Sequence, residues 1–117
     1  NKMFGTRILI SEEIESRLDG EFHTRKIGRF RVKGRKDPTA VHELLGPVVE
    51  MDKPEWSEPY GRGLAALEED NFEEARRLFE EVDRMCGAGG DGPSRFYLQL
   101  LERGEPIRQG VYDMTRK

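Results

Sequence analysis

The sequence predicts an α+β fold, in which a β-hairpin or partial sheet with one short helix precedes three helices. Two patterns lead to this prediction. Between residues 22 and 45, apolar and polar residues alternate with a period of two, as in strands that bury one face. From Tyr60 onward, apolar residues recur at spacings of three and four, as on amphipathic helices. We therefore divide the chain into a sheet part (residues 1–46), a linker (47–59) and a helical part (60–117).

The first predicted elements are a strand and a short helix. Residues 8–10 are apolar and favour β-structure, so we expect them to form a buried strand. Ser11 is placed to cap the helix that follows, whose first turn is acidic, as the helix dipole favours. Gly20 is expected to end this helix in a left-handed conformation.

Residues 22–27 are predicted to form a strand, and Gly28 after them is a candidate for a β-bulge or a tight bend. Residues 29–33 alternate apolar with basic side chains and are predicted to form a β-hairpin with residues 39–45. The dipeptide Asp37-Pro38 is typical of a turn. After this turn, residues 39–45 are predicted to return as the second strand.

Trp56 is expected to anchor the linker on the rest of the protein. Helical signals follow the linker. Asn71, with Glu74 three residues later, resembles a capping box at the start of the second helix. The apolar stripe predicted for this helix comprises Phe72, Ala75, Leu78, Phe79 and Val82. A glycine-rich turn over residues 87–92 precedes the third helix, with Pro93 in its first turn.

One helical pair resembles a tetratricopeptide repeat. Gly63, Ala75 and Phe79 stand at the small and aromatic positions where paired helices of such repeats approach closely. A groove that binds peptides needs about three repeats, and only one, with a possible half of a second, is present. We therefore expect the helices to pack on a neighbouring domain. The alternative hypothesis is a free-standing, non-enzymatic helical adaptor that binds a partner protein.

Charge is distributed unevenly along the chain. The net charge of −3 provides no general attraction to nucleic acid or to an anionic membrane, and we expect neither as a direct partner. Residues 25–36 nevertheless contain seven basic and no acidic residues, whereas acidic residues dominate from 55 to 83. Such asymmetry is typical of a phosphate-facing end or of a solvated hairpin, and both interpretations stay open.

Few residues are candidates for chemistry. Cys86 is the single cysteine, which excludes an internal disulfide and fits a reducing compartment. The two histidines show no metal-ligand spacing, and residues 87–92 lack the Gly-Lys-Ser/Thr ending of a phosphate loop. We expect no catalytic residue and no metal ligand here. Lys33 is the candidate to bind substrate phosphate, because it precedes a glycine turn at the end of an alternating strand.

Three segments agree in order and in spacing with a known pattern: NKMFGTRILISE at residues 1–12, IGRFRVKG at 27–34 and VHELL at 41–45. Together they resemble the end of the catalytic domain of bacterial class III adenylate/guanylate cyclases. The helical part resembles the extension that follows this domain in many bacterial members. The resemblance there lies in DGPS at residues 91–94, Tyr97-Leu98 and GVYDMT at 110–115.

The resemblance implies a parent enzyme that converts ATP to cyclic AMP and pyrophosphate in signal transduction, using two Mg²⁺ or Mn²⁺ ions. Its active sites would form between two catalytic domains. Lys33 matches the family's lysine that contacts substrate phosphate. The metal-binding aspartates, the purine-selecting residues and the asparagine–arginine pair of the family belong upstream and have no counterpart here. The choice between ATP and GTP therefore stays open.

The resemblance also implies how the chain would behave. We expect it to make no cyclic nucleotide alone, because it lacks those upstream residues. Its expected partners are the rest of the cyclase domain and a second cyclase chain, and its expected location is the cytoplasm, as part of a soluble or membrane-anchored parent. Because missing strands would leave sheet edges unpaired, we also expect either a homo-oligomer such as a dimer, or a rearranged N-terminal part in which Met3, Phe4 and Ile10 are buried.

Overall fold

The computed structural model describes residues 8–114, which form a mixed α/β fold with five strands and four α-helices, consistent with the predicted class. In chain order the elements are β1 (Leu9–Ser11), α1 (Glu12–Arg17), β2 (Phe22–Arg31), β3 (Thr39–Pro47), α2 (Ser57–Glu68), α3 (Phe72–Met85), α4 (Gly92–Arg103), β4 (Ile107–Arg108) and β5 (Val111–Asp113). A short 3₁₀ turn, Gly87–Gly89, lies between α3 and α4. The predicted linker, residues 47–59, contains the loop between β3 and α2 and overlaps the last residue of β3 and the first turn of α2.

All five strands belong to one sheet with the order β1-β3-β2-β5-β4. β2 and β3 form the predicted antiparallel hairpin, in which Phe30 lies opposite Thr39. The register shifts between Lys26 and Gly28, so the predicted irregularity at Gly28 is confirmed. β1 pairs with β3, β5 pairs in parallel with β2, and β4 pairs with β5. Strands of three and two residues therefore form the two edges.

The two predicted helix N-caps are present as hydrogen bonds, although the N–H of Asn71 donates to the carbonyl of Ala66 and so leaves the predicted capping box half formed. Ser11 Oγ accepts a bond from the backbone N–H of Ile14, and Asn71 Oδ1 accepts one from the N–H of Glu74. These side chains satisfy amide groups that have no acceptor within the helix. Gly20 has the expected left-handed φ, 77°, but α1 already ends at Arg17, with Leu18 as its C-cap, and Asp19 is left-handed as well, with a φ of 56°.

The core lies between the sheet and helices α2, α3 and α4. Its most deeply buried side chains are Ile27, Phe30, Tyr60, Leu67, Ala75, Phe79, Val82 and Tyr97. Tyr60 Oη donates a 2.7 Å hydrogen bond to the carbonyl of Ile27, which joins α2 to β2. A Cβ atom at Gly63 would lie 2.8 Å from the ring of Phe79, so glycine permits the close approach of α2 and α3. The core therefore extends across the boundary predicted at residues 47–59.

The chain returns to the sheet after α4, a course that no pattern in the sequence predicts. β5 lies parallel to residues 29–31 of β2, and Tyr112 contacts Phe96 of α4 edge to face, with the ring centroids 6.0 Å apart. Strands of two and three residues are too short to show a period-two pattern. The three helices are thus followed by sheet structure and do not end the described fold.

Two apolar positions are less buried than predicted. Ile8 is 49% exposed and β1 lies at a sheet edge, so the prediction of a buried strand was wrong about burial, although right about the element. Phe72 is 42% exposed because it is the first residue of α3, at the margin of an apolar stripe whose other members are buried. Within residues 8–114, no helix is long and apolar enough to cross a lipid bilayer.

Candidate functional site

Lys33 lies in the turn between β2 and β3, two residues after β2 ends. The residue is exposed, and a hydrogen bond from the N–H of Arg35 to the carbonyl of Val32, 3.1 Å long, closes the turn. Gly34 adopts a φ of 86°, which glycine reaches without strain. The ion pairs of the described residues do not include Lys33, so no carboxylate in that part of the chain neutralises its charge.

A groove of about 460 Å³ lies beside the hairpin, on the sheet face opposite the three large helices. Phe30 and Tyr112 point toward α4, so their strand neighbours Arg29, Arg31 and Val111 point the other way. The residues that line the groove are Arg29, Arg31, Pro38, Pro106, Arg108, Gln109, Val111 and Asp113. This lining contains three guanidinium groups and one carboxylate, which gives the groove a positive charge.

The outer wall of the groove is the β4–β5 turn, which packs on the end of α2. The N–H of Gln109 donates a 3.0 Å hydrogen bond to Asp70 Oδ1, and both residues have a positive φ. A Cβ atom at Gly110 would lie 2.8 Å from Cγ of Glu68, so this turn can approach the helix only because the residue is glycine. The position of Arg108 relative to the hairpin is therefore set by contacts with the α2–α3 connection.

Beneath the other face of the sheet lies a buried ionic cluster centred on Arg25. Its Nη1 donates to both carboxylate oxygens of Asp91 at 2.9 and 2.8 Å. Its Nε and Nη2 donate to Glu43 Oε1 at 3.0 and 2.5 Å. The guanidinium carbon lies 4.1 Å from the ring centroid of Trp56 and 4.9 Å from that of Tyr60. The cluster joins β2 and β3 to α2, to the start of α4 and to the loop before α2.

Electrostatics within this cluster keep Arg25 charged. Burial opposes the charge, but Asp91 and Glu43 outweigh it and raise the pKa of Arg25 above its ordinary value. Asp91 also caps α4, because its Oδ2 accepts bonds from the N–H and the hydroxyl of Ser94 at 3.1 and 2.6 Å. The DGPS segment thus begins the helix and supplies a counter-ion to the sheet.

Two buried tyrosines adjoin the cluster. Burial raises the pKa of Tyr60 well above 10.0, and burial also raises the pKa of Tyr97. The hydroxyl of Tyr97 has no hydrogen-bond partner within the described structure. A Cβ atom at Gly28 would overlap this hydroxyl, so the bulge glycine makes room for it. Neither phenol is positioned to act as a proton donor to a ligand at the surface.

The other residues weighed from the sequence do not assemble into a site. His23 Nε2 lies 3.1 Å from the carbonyl of Met51, and the buried His42 has Nε2 3.6 Å from Glu12 Oε1. Desolvation, with Asp91 as a second cause, raises the pKa of the Cys86 thiol, which makes it a poor nucleophile at neutral pH. Among residues 8–114, no group of three or more His, Cys, Asp or Glu side chains could hold a metal ion.

Sequence reasoning counted Arg25 among the basic residues of the hairpin and missed its burial and its two carboxylate partners. One signal was present: Arg25 is two residues before Ile27, so period two places it on the apolar face. The sequence patterns also gave no indication of the role of Arg108, because the two residues of β4 are too few to show alternation of apolar and polar side chains. Comparison with known proteins adds no relative, since no family model matches the chain and no curated protein or solved structure is detectably similar to it.

Proposed function

We propose that the chain is the C-terminal portion of a class III nucleotidyl cyclase, in which Lys33 contacts the phosphates of the nucleotide. The observation that supports this most directly is an exposed lysine at the tip of a two-stranded hairpin, within the segment IGRFRVKG. A compact ammonium charge at the end of a rigid strand can reach a ligand that lies outside the chain itself.

The buried ionic cluster centred on Arg25 fits this role, because it fixes the hairpin that carries Lys33. Arg25, Glu43 and Asp91 connect both strands to α4, so the hairpin projects from a braced sheet. Holding a charged group in place lowers the reorganisation that binding or catalysis requires. Lys33 would then add a fixed positive charge where negative charge develops on the departing pyrophosphate.

The rest of the chemistry belongs to the remainder of the proposed parent. The described residues do not fit a metal centre, so the metal ions that the family resemblance implies would have to be held outside them. We infer that these ions, the base-selecting residues and a second catalytic domain are contributed by other parts of the parent or its partner chain. The isolated chain would accordingly show no cyclase activity, and the parent would act in cytoplasmic signalling.

The helical part would serve this parent as a packed extension, as in the tetratricopeptide-like interpretation. Its apolar residues support packing over the adaptor hypothesis, because Ala75, Phe79 and Val82 are fully buried in the core shared with the sheet. A peptide groove would need such a stripe to face outward. The adaptor remains the alternative proposal.

The decisive experiment measures cyclase activity of the intact parent with Lys33→Ala and with Lys36→Ala, an exposed lysine in the same turn, as the matched control. Loss of a charge-assisted contact costs about 1.5–3 kcal/mol, so we expect kcat/KM for the nucleotide to fall by roughly 10- to 100-fold for Lys33→Ala. Lys33→Arg should recover part of the activity. Equal effects of Lys33→Ala and Lys36→Ala would refute the phosphate contact, and a parent gene without upstream cyclase aspartates would refute the whole assignment.

A further inference from the structure

We propose that the groove between the hairpin and the C-terminal strands is a second anion site, which binds a small polyphosphate through Arg29, Arg31 and Arg108. This site is distinct from Lys33, and it uses residues that the family resemblance assigns no role. The inference depends on the groove alone and would stand even if the chain came from another class of protein.

The first argument is the charge of the groove. Three guanidinium groups face one carboxylate, that of Asp113, which leaves a net charge of +2 among the described lining residues. Like charges repel one another, so the convergence of three guanidinium groups from two separate strands on a single carboxylate indicates an anionic ligand.

The second argument is geometric fixation. Arg29 and Arg31 project from a ten-residue strand at i and i+2, which sets them on one face. Arg108 directly precedes the β4–β5 turn, and this turn is fixed by the hydrogen bond from Gln109 to Asp70 and by the packing of Gly110 on Glu68 of α2. Arg31 also donates through Nη1 to the carbonyl of Lys36, which fastens its side chain toward the hairpin turn. Pro38 and Pro106 stiffen the rim.

The third argument selects the ligand. Arginine forks match the tetrahedral oxygens of phosphate bidentately, and three forks at separate points suit an anion with more than one phosphate group. A volume of about 460 Å³ lies within the range of small-molecule sites, about 300–1,000 Å³. The shared chemistry is a diphosphate or triphosphate group, either free or attached to a nucleoside.

The test titrates the full chain with inorganic pyrophosphate and follows the guanidinium N–H signals by ¹⁵N NMR. We expect saturable shifts of the Arg29, Arg31 and Arg108 signals, while sulfate at matched ionic strength causes none. Arg108→Gln and Arg31→Gln should each weaken binding about tenfold, as expected for loss of a charge-assisted contact. Arg84→Gln, an exposed arginine at the end of α3, is the matched control and should change affinity less than twofold.

A parallel titration with ATP distinguishes the source of the phosphates. Tighter binding of ATP than of pyrophosphate would support a nucleotide ligand, and equal affinity would support the free diphosphate. Dispersed amide spectra of both glutamine variants serve as the folding control, and Arg108→Lys supplies a second variant that keeps the charge but loses the fork. Absence of saturation in the millimolar range, or equal losses for Arg84→Gln and Arg108→Gln, would overturn the proposal. These outcomes are independent of the Lys33 experiment, because that experiment measures cyclase activity of the parent and this one measures anion binding to the chain.

Discussion

Replacing Arg25 with methionine would remove the positive charge that Glu43 and Asp91 share. Four hydrogen bonds of 2.5–3.0 Å would be lost, and two carboxylates that are 9% and 6% exposed would stay without a counter-ion. Breaking a buried ion pair from one side costs about 3–5 kcal/mol. A chain of 117 residues has a total stability of about 6–18 kcal/mol, so this single change should remove a large fraction of it.

Equilibrium unfolding in urea measures this loss directly. Trp56, the single tryptophan, lies 4.1 Å from the guanidinium, so its fluorescence reports the cluster while circular dichroism reports the helices. With a urea dependence of about 2 kcal/mol per molar, the unfolding midpoint should fall by about 2 M for Arg25→Met. Adding Glu43→Gln removes one of the two orphaned charges and should restore at least about 1 kcal/mol relative to additivity.

The matched control is Arg77→Met, which removes an arginine from the exposed pair with Glu74, 2.8 Å apart. Pairs at the surface contribute little to stability because water and salt screen them. We expect the midpoint of this variant to stay where it is in the unsubstituted chain. The reasoning is refuted if Arg25→Met and Arg77→Met shift the midpoint equally, or if the double variant with Glu43→Gln shows no coupling.

Two further predictions concern the tyrosines of the core. Gly28→Ala should lower the free energy of unfolding in urea by about 1–3 kcal/mol, because the new Cβ would overlap the Tyr97 hydroxyl. Adding Tyr97→Phe removes this hydroxyl and should recover part of the loss. Purely additive losses in the double variant would contradict the overlap. Above pH 10 the unfolded chain releases tyrosine protons that folded Tyr60 retains, because burial raises its pKa. Stability should therefore fall as pH rises from 10 toward the folded pKa. Urea midpoints across this range should fall less steeply in Tyr60→Phe, although this variant also loses the bond to Ile27 and starts from lower stability.

Local physical chemistry explains why much of the fold was predictable. Ser11 and Asn71 cap helices because their short side chains reach backbone amides one turn away. The β2–β3 hairpin follows from alternation on either side of a turn, and both the caps and the hairpin depend on neighbours within a few residues. Phe72 shows the limit of such patterns. An apolar stripe on a helix does not indicate how far the neighbouring elements cover that helix, and the exposed Phe72 lies beyond their edge.

The candidate sites divide in the same way. Lys33 was identifiable because the turn around it is local and its exposure requires no distant contact. The groove was not identifiable, because Arg108 reaches the hairpin only through the pairing of β5 with β2. Arg108 follows Arg31 by 77 residues in the sequence, and no motif or spacing connects the two arginines.

The amino-acid order alone determined the first strand, the β2–β3 hairpin, the four helices and which hairpin turn carries an exposed lysine. Tertiary structure decided that Arg25 is an interior cation rather than a surface one, and that the chain's last described strands complete the sheet. The physical reason is that alternation, capping and turn preference act over a few residues. Charge burial and strand pairing depend instead on groups such as Asp91, 66 positions away from Arg25, that meet only after the helices pack.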